Sequence, residues 1–237
     1  MRAMILAAGL GTRLRPLTND RPKALVEING RSLLEITLAR LRSFGIREVI
    51  VNVHHFADMV VDYLKAHDSF GMHVEISREE VLLDTGGGLK QAAHFLQQDD
   101  SGEHFLVHNV DIISNIDFEG MVQLHAESGA LATLAVQERA SSRQLLFDDD
   151  NRLCGRRSEG IDEIVRSSRQ CRPLAFCGIH VISCRIFSLL TEEGVFPIVP
   201  AYLRLAGQGE NILGFRTDQY SWRDLGTLEG VRQANRE

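Results

Sequence analysis

The sequence has no uninterrupted apolar run approaching 18 residues, which argues against a membrane-spanning helix. Its first apolar stretch, Met4-Ile5-Leu6, reaches Gly9 too soon to be the apolar region of a signal peptide. Cysteine is scarce. Cys154, Cys171, Cys177 and Cys184 form no Cys-x-x-Cys pair, so neither a zinc site nor a thioredoxin-like motif is indicated. Reduced thiols in a cytoplasmic protein are the expectation. Acidic residues outnumber basic ones, 32 against 26, so neither a nucleic-acid nor an anionic-membrane partner is expected. No repeat, linker or low-complexity segment is visible. Lysine is nearly missing: there are three, Lys23, Lys65 and Lys90.

What is present is ordinary globular composition, 44% hydrophobic and 24% charged, over 237 residues. That length allows one large domain or two small ones. The single-domain reading spans 1–237, with a small elaboration near 140–175. Short apolar runs alternate with helical periodicity. Strands are expected at 4–6, 49–51, 74–76, 105–107, 131–136, 176–182 and 211–215. Helices are expected at 32–44, 57–66, 121–125, 198–206 and 228–234. A further helix at 89–96 is read as opened by three glycines, and 145–153 as a hairpin with Asp148-Asp149-Asp150 at its tip. The alternation predicts an α/β fold, Rossmann-like, three layers α/β/α, with a mainly parallel mixed sheet.

The charge is uneven. Residues 1–50 hold nine Arg or Lys against four Asp or Glu, although the chain as a whole is acidic. Most of that excess follows the first strand, in Leu6-Ala7-Ala8-Gly9-Leu10-Gly11-Thr12-Arg13-Leu14-Arg15-Pro16-Leu17-Thr18 and then Arg21-Pro22-Lys23. Glycines let backbone N–H groups approach and cradle a phosphate, and the lysine acts as a point charge for a triphosphate. The loop is not a Walker A sequence, and Leu14 stands where a dinucleotide fingerprint needs its third glycine.

Residues 4–25 resemble the signature of the sugar-phosphate nucleotidyltransferases, the NDP-sugar pyrophosphorylases, at nearly every position; Ala24 stands where that family often has Pro. The resemblance implies that Leu6, Ala7, Ala8, Gly9, Gly11, Thr12, Arg13 and Lys23 bind the nucleotide. It also implies that Arg13 and Lys23 act in catalysis. By itself Asp84-Thr85-Gly86-Gly87-Gly88 reads equally as a helix-start turn or as a flat backbone contact for a base or sugar ring. Within the family it resembles the loop holding base and sugar, in the form closest to the N-acetylmuramate 1-phosphate uridylyltransferase branch. This places Gly86, Gly87 and Glu79 at the nucleotide.

Asn109-Val110-Asp111 ends a buried strand, where a lone Asp is commonly a turn former. The family's version is Asn-Gly-Asp. The resemblance makes Asp111 a catalytic Mg²⁺ ligand and Asn109 a nucleotide contact. Val110 in place of Gly departs from the pattern, since Val resists positive φ and adds bulk. Trp222-Arg223-Asp224-Leu225-Gly226-Thr227 resembles the family's second metal element. Asp224 is then a metal ligand and substrate contact, and Thr227 can cap the last helix. Gly178 matches the strand that approaches the acceptor sugar. Arg143, Arg156 and Arg157 read equally as a solvated basic hairpin or as a sugar-phosphate site. His54 and His55, expected on opposite faces of a strand, are poorly placed to chelate.

The implied activity is Mg²⁺-dependent transfer of NMP from an NTP, UTP favoured, to a sugar 1-phosphate, in a monomer or small homo-oligomer. The alternatives are a guanylyl- or cytidylyltransferase acting on a heptose phosphate or phosphocholine, and a nucleotide-sugar-binding regulatory module whose chemistry has lapsed. A Rossmann dehydrogenase is disfavoured by the missing glycine.

Overall fold

The computed structural model describes residues 1–97 and 103–236. The first half contains β1 (Ala3–Leu6), β2 (Glu27–Ile28), β3 (Arg31–Ser32), α1 (Leu33–Ser43), β4 (Glu48–Val53), α2 (Ala57–Ala66), β5 (His73–Arg78), α3 (Asp84–Gln91), α4 (Ala93–Leu96), β6 (His104–Asn109), β7 (Ile112–Ser114) and α5 (Phe118–Ser128). The second half contains β8 (Ala132–Gln137), β9 (Arg143–Phe147), β10 (Leu153–Ser158), β11 (Ile161–Ile164), β12 (Arg172–Ser183), α6 (Ile186–Leu189), α7 (Ile198–Gly207), β13 (Ile212–Arg216), β14 (Trp222–Asp224) and α8 (Leu228–Ala234).

Ten strands form one sheet in the order β11-β10-β9-β12-β6-β1-β4-β5, with β8 paired to both β12 and β13. The β6-β1-β4-β5 portion is parallel, with Met4 opposite both Ile50 and Val107. β12 runs antiparallel to β6, which makes the sheet mixed. The period-2 alternation of these strands creates the layers. Ala3, Ile5, Val49, Val51 and Leu106 join a core that also holds Leu34 and Leu38 of α1, Leu64 of α2, Met121 of α5 and Val231 of α8. Met4, Ile50, Phe105 and Val107 face the other way, onto Leu89 of α3, Phe95 of α4 and Tyr202 of α7. A parallel sheet covered on both faces needs continuous apolar strands, and Val49-Ile50-Val51 supplies one.

Helix starts follow their caps. Ser32 accepts from the Glu35 N–H at 3.0 Å, Asp117 from Gly120 at 3.1 Å and Thr227 from Gly230 at 3.2 Å. The expected helix over 89–96 is corrected. The helix begins at Asp84, contains Gly86, Gly87 and Gly88, and breaks at Ala92 before the short α4. Glycine disfavours helix by roughly 0.5–1 kcal/mol relative to alanine, but here no side chain fits. A Cβ on Gly86 would clash with the Phe196 ring, one on Gly87 with the Gly194 carbonyl, and one on Gly88 would lie 2.6 Å from Glu79 Oε1. Tertiary packing therefore overrides propensity. His54 and His55 lie just past β4 rather than within a strand; His54 Nδ1 bonds the Glu79 carbonyl at 2.8 Å.

Candidate active site

Ligands of open α/β sheets bind beyond the carboxyl ends of the parallel strands. Here β1, β4 and β6 end together, and the loops leaving them enclose a cleft of about 350 Å³. Leu6, Ala7, Ala8, Gly9, Arg13 and Lys23 line it from the first loop, and Asn109, Val110 and Asp111 from the end of β6. Asn52, Leu82, Asp84 and Thr85 complete it. Gly11 and Thr12 belong to the same loop but do not line the cleft. Gly11 holds a left-handed conformation (φ 64°), and its carbonyl accepts from Thr18 Oγ1 at 2.8 Å. This turns the chain from Gly9 into the short 3₁₀ helix Thr12–Leu14.

A polar brace fixes the loop from behind. The Ala7 N–H donates to Asn52 Oδ1 at 2.7 Å, and Asn52 Nδ2 donates to Glu79 Oε1 at 2.7 Å. Glu79 Oε2 accepts from the Leu83 N–H at 2.9 Å. Both Glu79 oxygens are thus occupied in a side chain that is buried. Neither Glu79, Gly86 nor Gly87 lines the cleft. The sequence reading missed Asn52. Its signal was a polar residue directly after Val49-Ile50-Val51, at the ligand-facing end of a buried strand.

Asp111 and Asp224 come from distant segments, and the small antiparallel ladder of β7 and β14 brings them together. Asp224 pairs with Ile112, and the Leu225 N–H donates to the Asp111 carbonyl at 2.8 Å. A Cβ on Gly226 would lie 2.6 Å from Asp111 Oδ2, 2.8 Å from Asp224 Oδ1 and 2.8 Å from Arg13 Nη2. The two carboxylate oxygens therefore approach the same point as the Arg13 guanidinium. Lys23 Nζ forms an ion pair with Asp111 Oδ2, and Arg13 Nη1 lies 4.0 Å from Asp224 Oδ2. The Gly226 N–H donates to Asp224 Oδ1 at 2.7 Å. Val110 does not take the positive φ that its family position raised as a concern, and its side chain packs in the core with 1% exposure. Burial pushes the neighbouring His108 imidazole down to about 4, so it is neutral beside these charges.

A second cavity of about 520 Å³ adjoins the first and shares Leu6, Asp84, Thr85 and Asn109 with it. Arg143, Arg156 and Arg157 line it from the hairpin, together with Phe176 and His180 of β12 and Ile198 of α7. Arg156 pairs with Glu163 at 2.6 Å and Arg157 with Asp162 at 2.6 and 2.8 Å. The Arg143 guanidinium has no partner among the described residues, and of the three it is the cation free to meet an anion. Gly178 sits at a bulge in β12 with φ 74°, and a Cβ there would come 2.6 Å from Asn109 Nδ2. Its lack of a side chain makes room for Asn109, where the two cavities meet.

A glycine-and-cation loop at the strand ends, facing paired carboxylates, defines a phosphate-handling α/β protein. The chain belongs to the nucleotidyl transferase family, whose model matches residues 2–145. It is 37% identical over 217 residues to the N-acetylmuramate alpha-1-phosphate uridylyltransferase of Caulobacter vibrioides, covering 87% of this chain and 85% of that one. It is 29% identical to the mannose-1-phosphate guanyltransferase of Candida albicans, covering 95% of this chain and 61% of that one. Among solved structures it resembles HddC from Yersinia pseudotuberculosis in complex with GMP-PN (TM-score 0.78, 22% identity, 99% and 98% of the two chains). It also resembles the inositol-1-phosphate CTP transferase from T. maritima (TM-score 0.77, 16% identity, 100% and 96%). These two likenesses establish the shared fold.

Proposed function

We propose that this chain transfers UMP from UTP to a sugar 1-phosphate, releasing pyrophosphate. The observation that carries the reading is the convergence of Asp111, Asp224 and Arg13 on Gly226, with Lys23 paired to Asp111, beside the loop Leu6–Gly9. The preference for UTP is supported by the 37% identity to a named uridylyltransferase along most of both chains.

The reaction needs no protein base. A phosphate monoester has its second pKa near ~6, so the attacking oxygen is already anionic at neutral pH. That oxygen forms a bond to the α-phosphorus as the bond to the bridging oxygen of the leaving pyrophosphate breaks. The obstacle is repulsion between two anions, which positioning and positive charge must overcome. In this reading the first-loop amides and Arg13 hold the triphosphate. Lys23 neutralises charge on the transferred phosphoryl group. Arg143 receives the sugar phosphate in the adjoining cavity, and Gly178 leaves Asn109 free to face both cavities. Glu79 acts through Asn52, keeping the Ala7 amide in place.

Asp111 and Asp224 suit Mg²⁺, which is commonly held by one or two carboxylates plus substrate phosphates. Asp111 Oδ1 has no partner among the described residues, and Asp224 approaches from the facing strand. When bound there, Mg²⁺ offsets phosphoryl charge and polarises the P–O bonds. The core position of Val110 gives no support to a lapsed binding module.

The test is pyrophosphate release with Mg²⁺ over a grid of UTP, GTP, CTP, dTTP and ATP against N-acetylmuramate, glucose, N-acetylglucosamine, mannose and heptose 1-phosphates. Strong turnover with UTP in one acceptor column is the expected result. Turnover only with another nucleotide overturns the UTP assignment, and a blank grid overturns the transfer reaction.

A further inference from the structure

His180 lies in the middle of β12 and is 2% exposed, on the side of the sheet covered by α7. Its Nδ1 is 2.7 Å from the hydroxyl of Tyr202, a residue of α7 with no exposed surface. That nitrogen is the hydroxyl's single partner among the described residues. The other ring nitrogen, Nε2, has no partner among the described residues. His180 also lines the second cavity, together with Phe176 and Ile198.

These contacts favour one tautomer of the neutral ring. A buried phenol that donates to nothing loses roughly 1–3 kcal/mol, so the Tyr202 O–H donates to Nδ1. Nδ1 then carries no proton, and the neutral ring must carry its proton on Nε2. Burial pushes the imidazole down to about 3, so the ring does not gain a second proton at working pH.

Resting on the nucleotidyl-transfer reading above, we propose that His180 is a specificity-determining residue whose Nε2–H donates a hydrogen bond to an oxygen of the sugar-phosphate acceptor. Tyr202 is its positioning residue. A buried donor in an apolar wall rejects analogues lacking the matching oxygen more strongly than a pocket rejects a missing methylene, because the donor is left unpaired. A neutral donor also serves where Arg143 does not, since it recognises a hydroxyl or an acyl carbonyl without demanding a negative charge. The oxygen's source is separated by three acceptors: glucose, 2-deoxyglucose and N-acetylglucosamine 1-phosphates.

The test compares wild type, His180→Phe, His180→Gln and Tyr202→Phe, with KM and kcat determined separately for nucleotide and acceptor. His180→Phe removes the donor and is expected to lower kcat/KM for the acceptor about tenfold or more, leaving the nucleotide KM within about twofold. His180→Gln keeps a donor near Nε2 and should restore most of the loss. Tyr202→Phe should raise the acceptor KM with little change in kcat. Independently of turnover, ¹⁵N-histidine NMR of the wild type, assigned by the resonance lost in His180→Gln, should show the Nε2–H tautomer shifting on acceptor addition. An Nδ1–H tautomer, or a folded His180→Phe with unchanged acceptor preference, overturns the proposal while leaving the transfer reaction standing. If His180→Phe does not fold, the NMR result decides. A wild type silent with every nucleotide and acceptor of the full grid, N-acetylmuramate 1-phosphate included, overturns the transfer reading itself.

Discussion

Replacing Gly226 with alanine puts a single methyl group where the active-site charges meet. The new carbon would lie 2.6 Å from Asp111 Oδ2, 2.8 Å from Asp224 Oδ1 and 2.8 Å from Arg13 Nη2. Carbon and oxygen need more than 3 Å, so each carboxylate must retreat by several tenths of an ångström. Neither is free to do so without loss, because Lys23 holds Asp111 and the Gly226 N–H holds Asp224. Misplacement by about 1 Å can cost about 10²-fold in rate, roughly 2.7 kcal/mol of transition-state stabilisation, so a retreat of several tenths is expected to cost up to about that much. The fold should bear the change more easily. Gly226 is not in the left-handed region, so alanine meets no positive-φ strain there. Gly→Ala at a compatible site gains about 0.4–1 kcal/mol from the unfolded chain, against about 1–3 kcal/mol of overpacking. With about 2–4 °C per kcal/mol for a chain of this size, Tm should fall by only a few degrees. The assay is pyrophosphate release with Mg²⁺ titrated, alongside thermal unfolding. Gly226→Ala with wild-type kcat/KM and an unchanged Mg²⁺ requirement would refute the assignment of these three residues to one reaction centre.

Lys23→Ala should cut kcat by about 10²–10³-fold, since it removes a preorganised cation from a partly buried site; near wild-type turnover sinks its role. Val110→Gly should lower Tm without raising activity, because it excavates the core beneath the site; a large gain in turnover would show that Val110 obstructs the natural site. Stability should also depend on mild acid through His125 and His180, which burial pushes down to about 4 and about 3 from an ordinary 6.5. The unfolded chain takes up those protons first, so this contribution is full above about pH 6.5 and is lost as pH falls toward the folded values. Urea midpoints should therefore drop between pH 7.5 and 5, and a flat profile contradicts the burial of neutral rings.

The parts of the site that lie close together in sequence were readable in it. The loop Leu6–Lys23 declares itself by two glycines, clustered arginines and one of only three lysines. Thr227 marks the start of the last helix by chemistry local to it. Three features were not readable, for a common reason. Gly86-Gly87-Gly88 looks like a turn because glycine disfavours helix, and only the facing Phe196 and Gly194 explain why it is one. Asn52 is an ordinary polar residue until Ala7 and Glu79 meet it. Val110 in place of glycine looked like damage, but its backbone is ordinary and its side chain belongs to the core. Each depends on partners far along the chain, which periodicity and propensity do not register.

Lys23 pairs with Asp111 and Arg13 lies 4.0 Å from Asp224, so two cations of the first loop face two anions of the acidic strands across the cleft. A bare triphosphate entering this set has to draw the cations off their carboxylates and leave those acids exposed to its own negative charge. A nucleotide arriving with a divalent counter-ion would exchange partners instead: its phosphates would meet Lys23 and Arg13, while Asp111 and Asp224 would hold the ion. On the reading proposed above, that exchange would favour the complexed over the uncomplexed nucleotide before any chemistry begins, and the preference should weaken in Asp224→Asn, where one half of the exchange is removed.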